Sequence, residues 1–175
     1  MVNTFITSWD VDEIAKSLDY KRLGKQRVEA YQLWRVNRGI TKGWGKHPAA
    51  RMWKGYECAL ATYTNAMIRE WIRRGYKNNM EFLPHTENPV FPLWWGYEPV
   101  KISHQASLNR KKADFYHFDV PEFTGYIWPE PALCFSTIFK RYINGNNVHL
   151  SPHGCSNPSS RVSSQDQIIR SAQSS

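Results

Sequence analysis

The side chains of this sequence best suited to chemistry are concentrated in Leu18-Asp19-Tyr20-Lys21-Arg22-Leu23-Gly24-Lys25-Gln26-Arg27-Val28-Glu29. Read as helix, the stretch returns Asp19, Arg22, Gln26 and Glu29 to one face, because side chains three or four residues apart share a side. A row of carboxylate, guanidinium and amide can pair with phosphates, hold a polar ligand, or move a proton at a carboxylate. Leu18 and Leu33 fall on the same face, so the row runs between apolar positions and suits a groove. The plainer reading is two i,i+4 surface pairs, Arg22 with Gln26 and Lys25 with Glu29, each contributing only a few tenths of a kcal/mol.

The partner these groups would meet is suggested by charge. The chain has 175 residues and a net charge of +8, and such a surface concentrates polyanions. Residues 1 to 40 hold seven Lys or Arg against five Asp or Glu, and residues 41 to 80 hold eight against two. Arg110, Lys111 and Lys112 add a local basic run later in the chain.

The elements that must position them read as helices. Ser8-Trp9-Asp10 offers N-cap residues before Val11-Asp12-Glu13-Ile14, so the first helix is expected over about 10 to 38, with a break near Gly24 and a stop at Gly39. Thr41-Lys42-Gly43-Trp44-Gly45-Lys46-His47 is a basic, Gly-rich connector. Pro48 then suits a first helical position. Ala49, Trp53, Tyr56, Leu60, Tyr63, Met67 and Trp71 recur at spacings of three and four, which predicts an amphipathic second helix over 48 to 74. A third, shorter helix is expected near 102 to 112. The Pro-punctuated aromatic stretch from Pro84 to Pro99 reads as a covering loop, and Tyr126-Ile127-Trp128 as an aromatic closing segment.

The expectation is therefore an all-α, compact single domain of about three main helices with long aromatic, Pro-rich loops. It spans 1–144, and the Ser- and Asn-rich residues 145–175 read as a disordered tail. Three cysteines without a CxxC pair make neither a disulfide framework nor a zinc site. His149, His153 and Cys155 are close in sequence but lie in that tail, so no metal and no cofactor are expected. With no leader and no apolar span, the sequence reads as a soluble protein of the cytoplasm or nucleus.

The order of these segments resembles the phage-type pyrimidine-dimer DNA glycosylase family, also called endonuclease V. That family carries Glu-Tyr-Arg-Glu-Leu-Pro-Arg-Val in its first helix, to which Asp19-Tyr20-Lys21-Arg22-Leu23 and Gly24-Lys25-Gln26-Arg27-Val28 are similar. Ile68-Arg69-Glu70-Trp71-Ile72-Arg73-Arg74-Gly75-Tyr76 is similar to the end of the family's middle helix, and Ile102 to Tyr116 is a looser third match. The likeness covers about residues 2 to 130.

The resemblance implies a small helical DNA-repair fold acting on double-stranded DNA as a monomer. It implies that the α-amine left after Met removal, here that of Val2, attacks C1′ of the damaged nucleotide, and that a first-helix carboxylate handles protons and charge. The family's glutamate falls at Arg22, and its basic residue near the N-terminus at Asn3. A guanidinium cannot accept a proton, so Val2, Arg22 and Glu29 are the catalytic candidates, with Glu29 preferred to Asp19 as the acid/base group. Lys21, Arg22, Lys25, Gln26, Arg27, His47, Arg110, Lys111 and Lys112 are the candidates for holding nucleic acid. Two other readings fit the residues: a non-catalytic nucleic-acid-binding protein, and an enzyme on a nucleotide-like phosphorylated ligand.

Overall fold

The computed structural model describes residues 2–123 and 125–129, and among them all regular structure is helical. The expected disordered tail lies outside the described residues. The elements are α1 (Val11–Ser17), α2 (Tyr20–Asn37), a 3₁₀ turn (Trp44–Lys46), α3 (Pro48–Arg51), α4 (Glu57–Arg73) and α5 (Glu98–Lys111). The all-α expectation holds, but each of its three helices needs redrawing.

The first expected helix is two. Asp10 caps α1, its carboxylate accepting from the N–H groups of Asp12 and Glu13. The break falls at Leu18 and Asp19, not at Gly24. Asp19 is an N-cap, accepting from the N–H groups of Lys21 and Arg22, and the Tyr116 hydroxyl both accepts from its N–H and donates to its carboxylate. Gly24 lies inside α2 for a packing reason: a Cβ there would stand 2.8 Å from the Trp71 ring.

The second expected helix is interrupted between Met52 and Tyr56, where Gly55 takes a positive φ of 85°. The three-four spacing across that break reflects a one-turn helix and a long one burying the same side. The third helix starts four residues earlier than expected, because Pro99 sits in its first turn, where a missing N–H costs nothing. Gly39 and Gly75 follow α2 and α4 in left-handed conformation, as the expected stops require.

α2 and α4 make the principal helix pair. Between them lie Leu23, Ala30, Leu33, Leu60, Tyr63 and Met67, all with no solvent exposure. The Pro-rich loop covers α3 and its surroundings: the indole N–H of Trp94 donates to Met52 O and that of Trp95 to Trp9 O. Arg74 ties α4 to α1 by donating to the carbonyls of Leu18, Ala15 and Lys16, and Glu70 holds it at 2.6 Å. Those two guanidiniums, Arg73 and Arg74, keep Glu70 ionised down to about pH 2, against the pull of its burial. Cys58 is disulfide-bonded, although the spacing of the three cysteines predicts no disulfide framework.

Candidate active site at the N-terminal strap

Residues 2 to 7 are buried and belong to no helix, with no neighbouring strand among the described residues to satisfy their backbone. Side chains do so instead. Gln26, fully buried on α2, accepts from Phe5 N–H at 2.9 Å and donates to Asn3 O at 2.8 Å, as a partner strand would. The Tyr63 hydroxyl of α4 lies 2.9 Å from Phe5 O and 2.7 Å from Gln26 Oε1, and burial raises its pKa well above normal, so it remains a donor. His104 of α5 accepts from Ile6 N–H through Nδ1 at 2.9 Å. Gln105 donates to Thr7 O, Trp53 to Thr4 Oγ1, and Trp128 to Asn3 Oδ1.

These side chains come from α2, α4, α5 and the segments between and beyond them, and together they fix residues 3 to 7 of the strap. Burial depresses the pKa of His104 to about 3, so the ring that accepts from Ile6 is neutral at ordinary pH.

The strap ends at a carboxylate. Asn3 N–H donates to Glu29 Oε2 at 3.3 Å, Gln26 Nε2 reaches the same oxygen at 3.3 Å, and Lys25 lies 3.4 Å from Oε1. Glu29 is mostly buried, with a side-chain exposure of 12%. That burial raises its pKa, outweighing Lys25 and the Asn3 N–H, which act to lower it.

Beside Glu29 opens a pocket of ≈ 280 Å³. Phe5 and Tyr126 form an apolar wall, and Lys21, Arg22, Lys25 and Lys111 a cationic one, with Asn3 and Glu29 between. From Tyr126 a row of rings runs outward through Trp128 and His47 to Trp44, with centroid spacings of 5.3, 5.5 and 5.8 Å. Trp44 is half exposed. Cations, one carboxylate and aromatic faces together suit a nucleotide drawn out of its stack.

The sequence candidates divide accordingly. Lys21, Arg22, Lys25, Glu29 and Lys111 line the pocket, and Val2 precedes Asn3 of that lining with its own side chain buried in the core. Arg22 is held 2.7 Å from Asp19, and the hydrogen bonds from Tyr116 and Arg22 keep Asp19 low in pKa although its burial pulls the other way. Asp19 is thus committed to structure. Gln26 faces the core and supports the strap; its buried amide is not on a nucleic-acid surface. Arg27 is on another side of α2, bonded to Asn78 and lying over Trp71 at 4.5 Å. His47 caps α3, accepting from Ala49 N–H, and belongs to the ring row. The consecutive cations separate: Arg110 reaches Ser107 and Lys112 lies over Phe115, while Lys111 alone lines the pocket.

Sequence reasoning missed Phe5, Tyr63 and His104 as parts of the site. Tyr63 reads as part of an apolar helix face and His104 only as part of a short helix, and the bonds to the strap are what reveal their place.

Residues 3–84 match the pyrimidine dimer DNA glycosylase family. The matched segment holds the strap from Asn3 onward, all of α2, α3 and α4, and Glu29, and leaves Val2, His104, Lys111 and Tyr126 outside it. It bears out the resemblance found in the helix motifs. No curated protein and no solved structure matches the chain. Among the described residues no helix is long and apolar enough to cross a membrane.

Proposed function

We propose that the chain is a DNA glycosylase and abasic-site lyase acting on a damaged pyrimidine in double-stranded DNA, as a monomer, with the α-amine of Val2 as nucleophile once Met1 is removed. The observation that carries this is the strap itself. A chain terminus is ordinarily loose, but here residues 2 to 7 are buried, fastened by seven side chains, and brought up to a carboxylate in a pocket. The amine would stand one residue before the N–H that touches Glu29. The family match supports DNA as the substrate and a pyrimidine dimer as the lesion.

The chemistry follows from the groups present. An α-amine has a pKa near 7.7 to 8.0, so a useful fraction is unprotonated at neutral pH. Its lone pair bonds to C1′ as the C1′–N bond breaks, and the base leaves with that electron pair. Glu29, ionised, stabilises the positive charge developing at C1′ and takes the proton released by the attacking amine. Opening of the sugar gives an imine, and loss of a C2′ proton then expels the 3′ phosphate. Lys21, Lys25 and Lys111 hold the flanking phosphates.

Borohydride tests this directly, because it reduces the imine to a stable amine. An abasic duplex incubated with the mature chain and borohydride yields a covalent adduct whose DNA is attached at Val2 by mass spectrometry. An adduct that persists when the N-terminus is chemically blocked eliminates the amine, and no adduct at all eliminates the lyase.

A further inference from the structure

One tight turn of the chain holds a large aromatic side chain out in water. Trp44 begins the 3₁₀ turn Trp44–Lys46 and is 49% exposed. The turn is fixed on several sides: His47 N–H donates to Trp44 O at 2.8 Å, Gly43 takes a φ of 155°, and a Cβ on Gly45 would stand 3.3 Å from Val36 Cγ1 of α2. The helices flanking the connector are tied by Asn37 Nδ2, which donates to Ala50 O at 2.9 Å. The indole meets the His47 ring edge to face, with centroids 5.8 Å apart and planes at 87°. Such a contact covers at most one face of the indole, and half of the side chain is open to solvent.

The surface charge around it has one sign. Residues 30 to 56 carry six Lys or Arg and no Asp or Glu. Lys42 and Lys46, on either side of Trp44, are both exposed. A single exposed apolar side chain is ordinary on a protein surface. An aromatic ring between two cations, in a stretch without acids, has instead the makeup of a site for an unpaired nucleic-acid strand, with cations for the backbone and a ring face for a base. The bases of a duplex already stack on one another, so a ring outside the helix meets a base face only where the strand is unpaired. The row of rings from Tyr126 through Trp128 and His47 joins this turn to the pocket wall, giving a bound strand a continuous path between them.

We infer that Trp44 stacks on an unpaired base of the bound DNA, outside the pocket, while Lys42 and Lys46 take the phosphates on either side of that base. This rests on the DNA reading and extends it to DNA with a single-stranded stretch beside the site of damage. Trp44 then acts in binding and in the choice of substrate, not in the chemistry at Glu29. Stacking is uncharged, so its contribution persists as salt rises, whereas that of the two lysines is screened.

The test uses undamaged DNA, so that it reads binding alone: an intact duplex, and the same duplex with a short internal gap in one strand. The full wild-type chain is expected to bind the gapped duplex more tightly. Trp44→Ala and Trp44→Leu should each weaken binding to the gapped duplex by about 5- to 150-fold, by the same factor at low and moderate salt, with binding to the intact duplex changed less than about threefold. Trp44→Phe, which keeps a ring, should retain most of the preference. Leucine keeps an apolar side chain at the turn, so a loss in Trp44→Leu is a loss of the ring face and not of packing. That pattern supports the assignment. It is overturned by a wild-type chain with no preference for the gapped duplex, by equal loss on both duplexes, by a loss that vanishes at moderate salt, or by Trp44→Leu binding as wild type does. A wild-type chain that binds neither duplex removes the DNA reading itself, and this inference falls with it.

Discussion

Asn3 N–H and Glu29 Oε2 stand 3.3 Å apart, so the first residues of the chain and the third turn of α2 share one hydrogen bond. The contact joins a segment that could have frayed to the one mostly buried carboxylate lining the pocket. Because burial raises the pKa of Glu29, the ionised form needed for catalysis is lost at a higher pH than for an ordinary glutamate. The acid limb of the pH–rate profile on abasic DNA is therefore expected above the usual carboxylate range. Glu29→Gln should abolish that limb together with most activity, and unchanged cleavage by this variant would exclude the carboxylate.

Gln26→Ala removes the amide that mimics a partner strand. Asn3 O and Phe5 N–H lose bonds of 2.8 and 2.9 Å in a buried site, at about 1 to 3 kcal/mol for each group left unsatisfied. Urea unfolding should show that loss. Borohydride trapping should fall further than stability alone explains, because the amine is no longer held near Glu29.

Gly24→Ala sets two effects against each other. Alanine favours helix by about 1 kcal/mol, but its Cβ would stand 2.8 Å from Trp71 Cζ3 and 3.0 Å from Cη2. The ring cannot easily yield, since its Nε1 donates to Lys77 O, Tyr76 packs tilted against it at 4.3 Å, and Arg27 lies over it. Overpacking of this kind costs about 1 to 3 kcal/mol, so a lowered Tm is expected, and a raised one would show that Trp71 has room.

Acid stability is set by two buried groups acting in the same direction. The pKa of Glu70 is lowered to about 2 by Arg73, with burial opposing and Arg74 adding, so its contribution is complete above the unfolded value near 4.5 and is lost as pH falls toward 2. Burial lowers the pKa of His104 to about 3; the unfolded chain takes up that proton near pH 6.5 while the folded one resists, and stability falls between those values. Denaturation midpoints should decline from about pH 6.5 downward. His104→Asn should flatten the decline between pH 6.5 and about 3, leaving the part below about pH 4.5 that Glu70 causes.

The pocket cations predict salt dependence. Lys21 and Lys111 line one mouth from α2 and α5, and each neutralised phosphate adds about 0.9 to the slope of log affinity against log salt. Lys21→Ala and Lys111→Ala should each reduce that slope by about 1, whereas Lys112→Ala, whose ammonium lies over Phe115 at 4.7 Å, should reduce it less. Equal slopes in all three would return the basic run to a single phosphate-binding patch.

What the sequence determined by itself was whatever depends on neighbours along the chain. The spacing from Ala49 to Trp71 identified the buried side of α3 and α4, Asp10 and Pro48 marked helix starts, Gly39 and Gly75 marked stops, and the order of motifs pointed to the family. It also brought Glu29 to notice, through its place on the row with Asp19, Arg22 and Gln26. What only the tertiary structure decided was which members of that row face outward. Gln26 and Glu29 differ by a single helical turn, yet one is enclosed between α2, α4 and the strap while the other borders a pocket, and that depends on what packs against the helix. The same holds for Tyr63 and His104, whose polar atoms meet backbone groups more than fifty residues away. The break at Asp19 was hidden for the same reason, since Tyr116, which completes its cap, enters from beyond α5. Local periodicity records which side of a helix is apolar, but the partner that satisfies a buried polar atom is chosen by the fold.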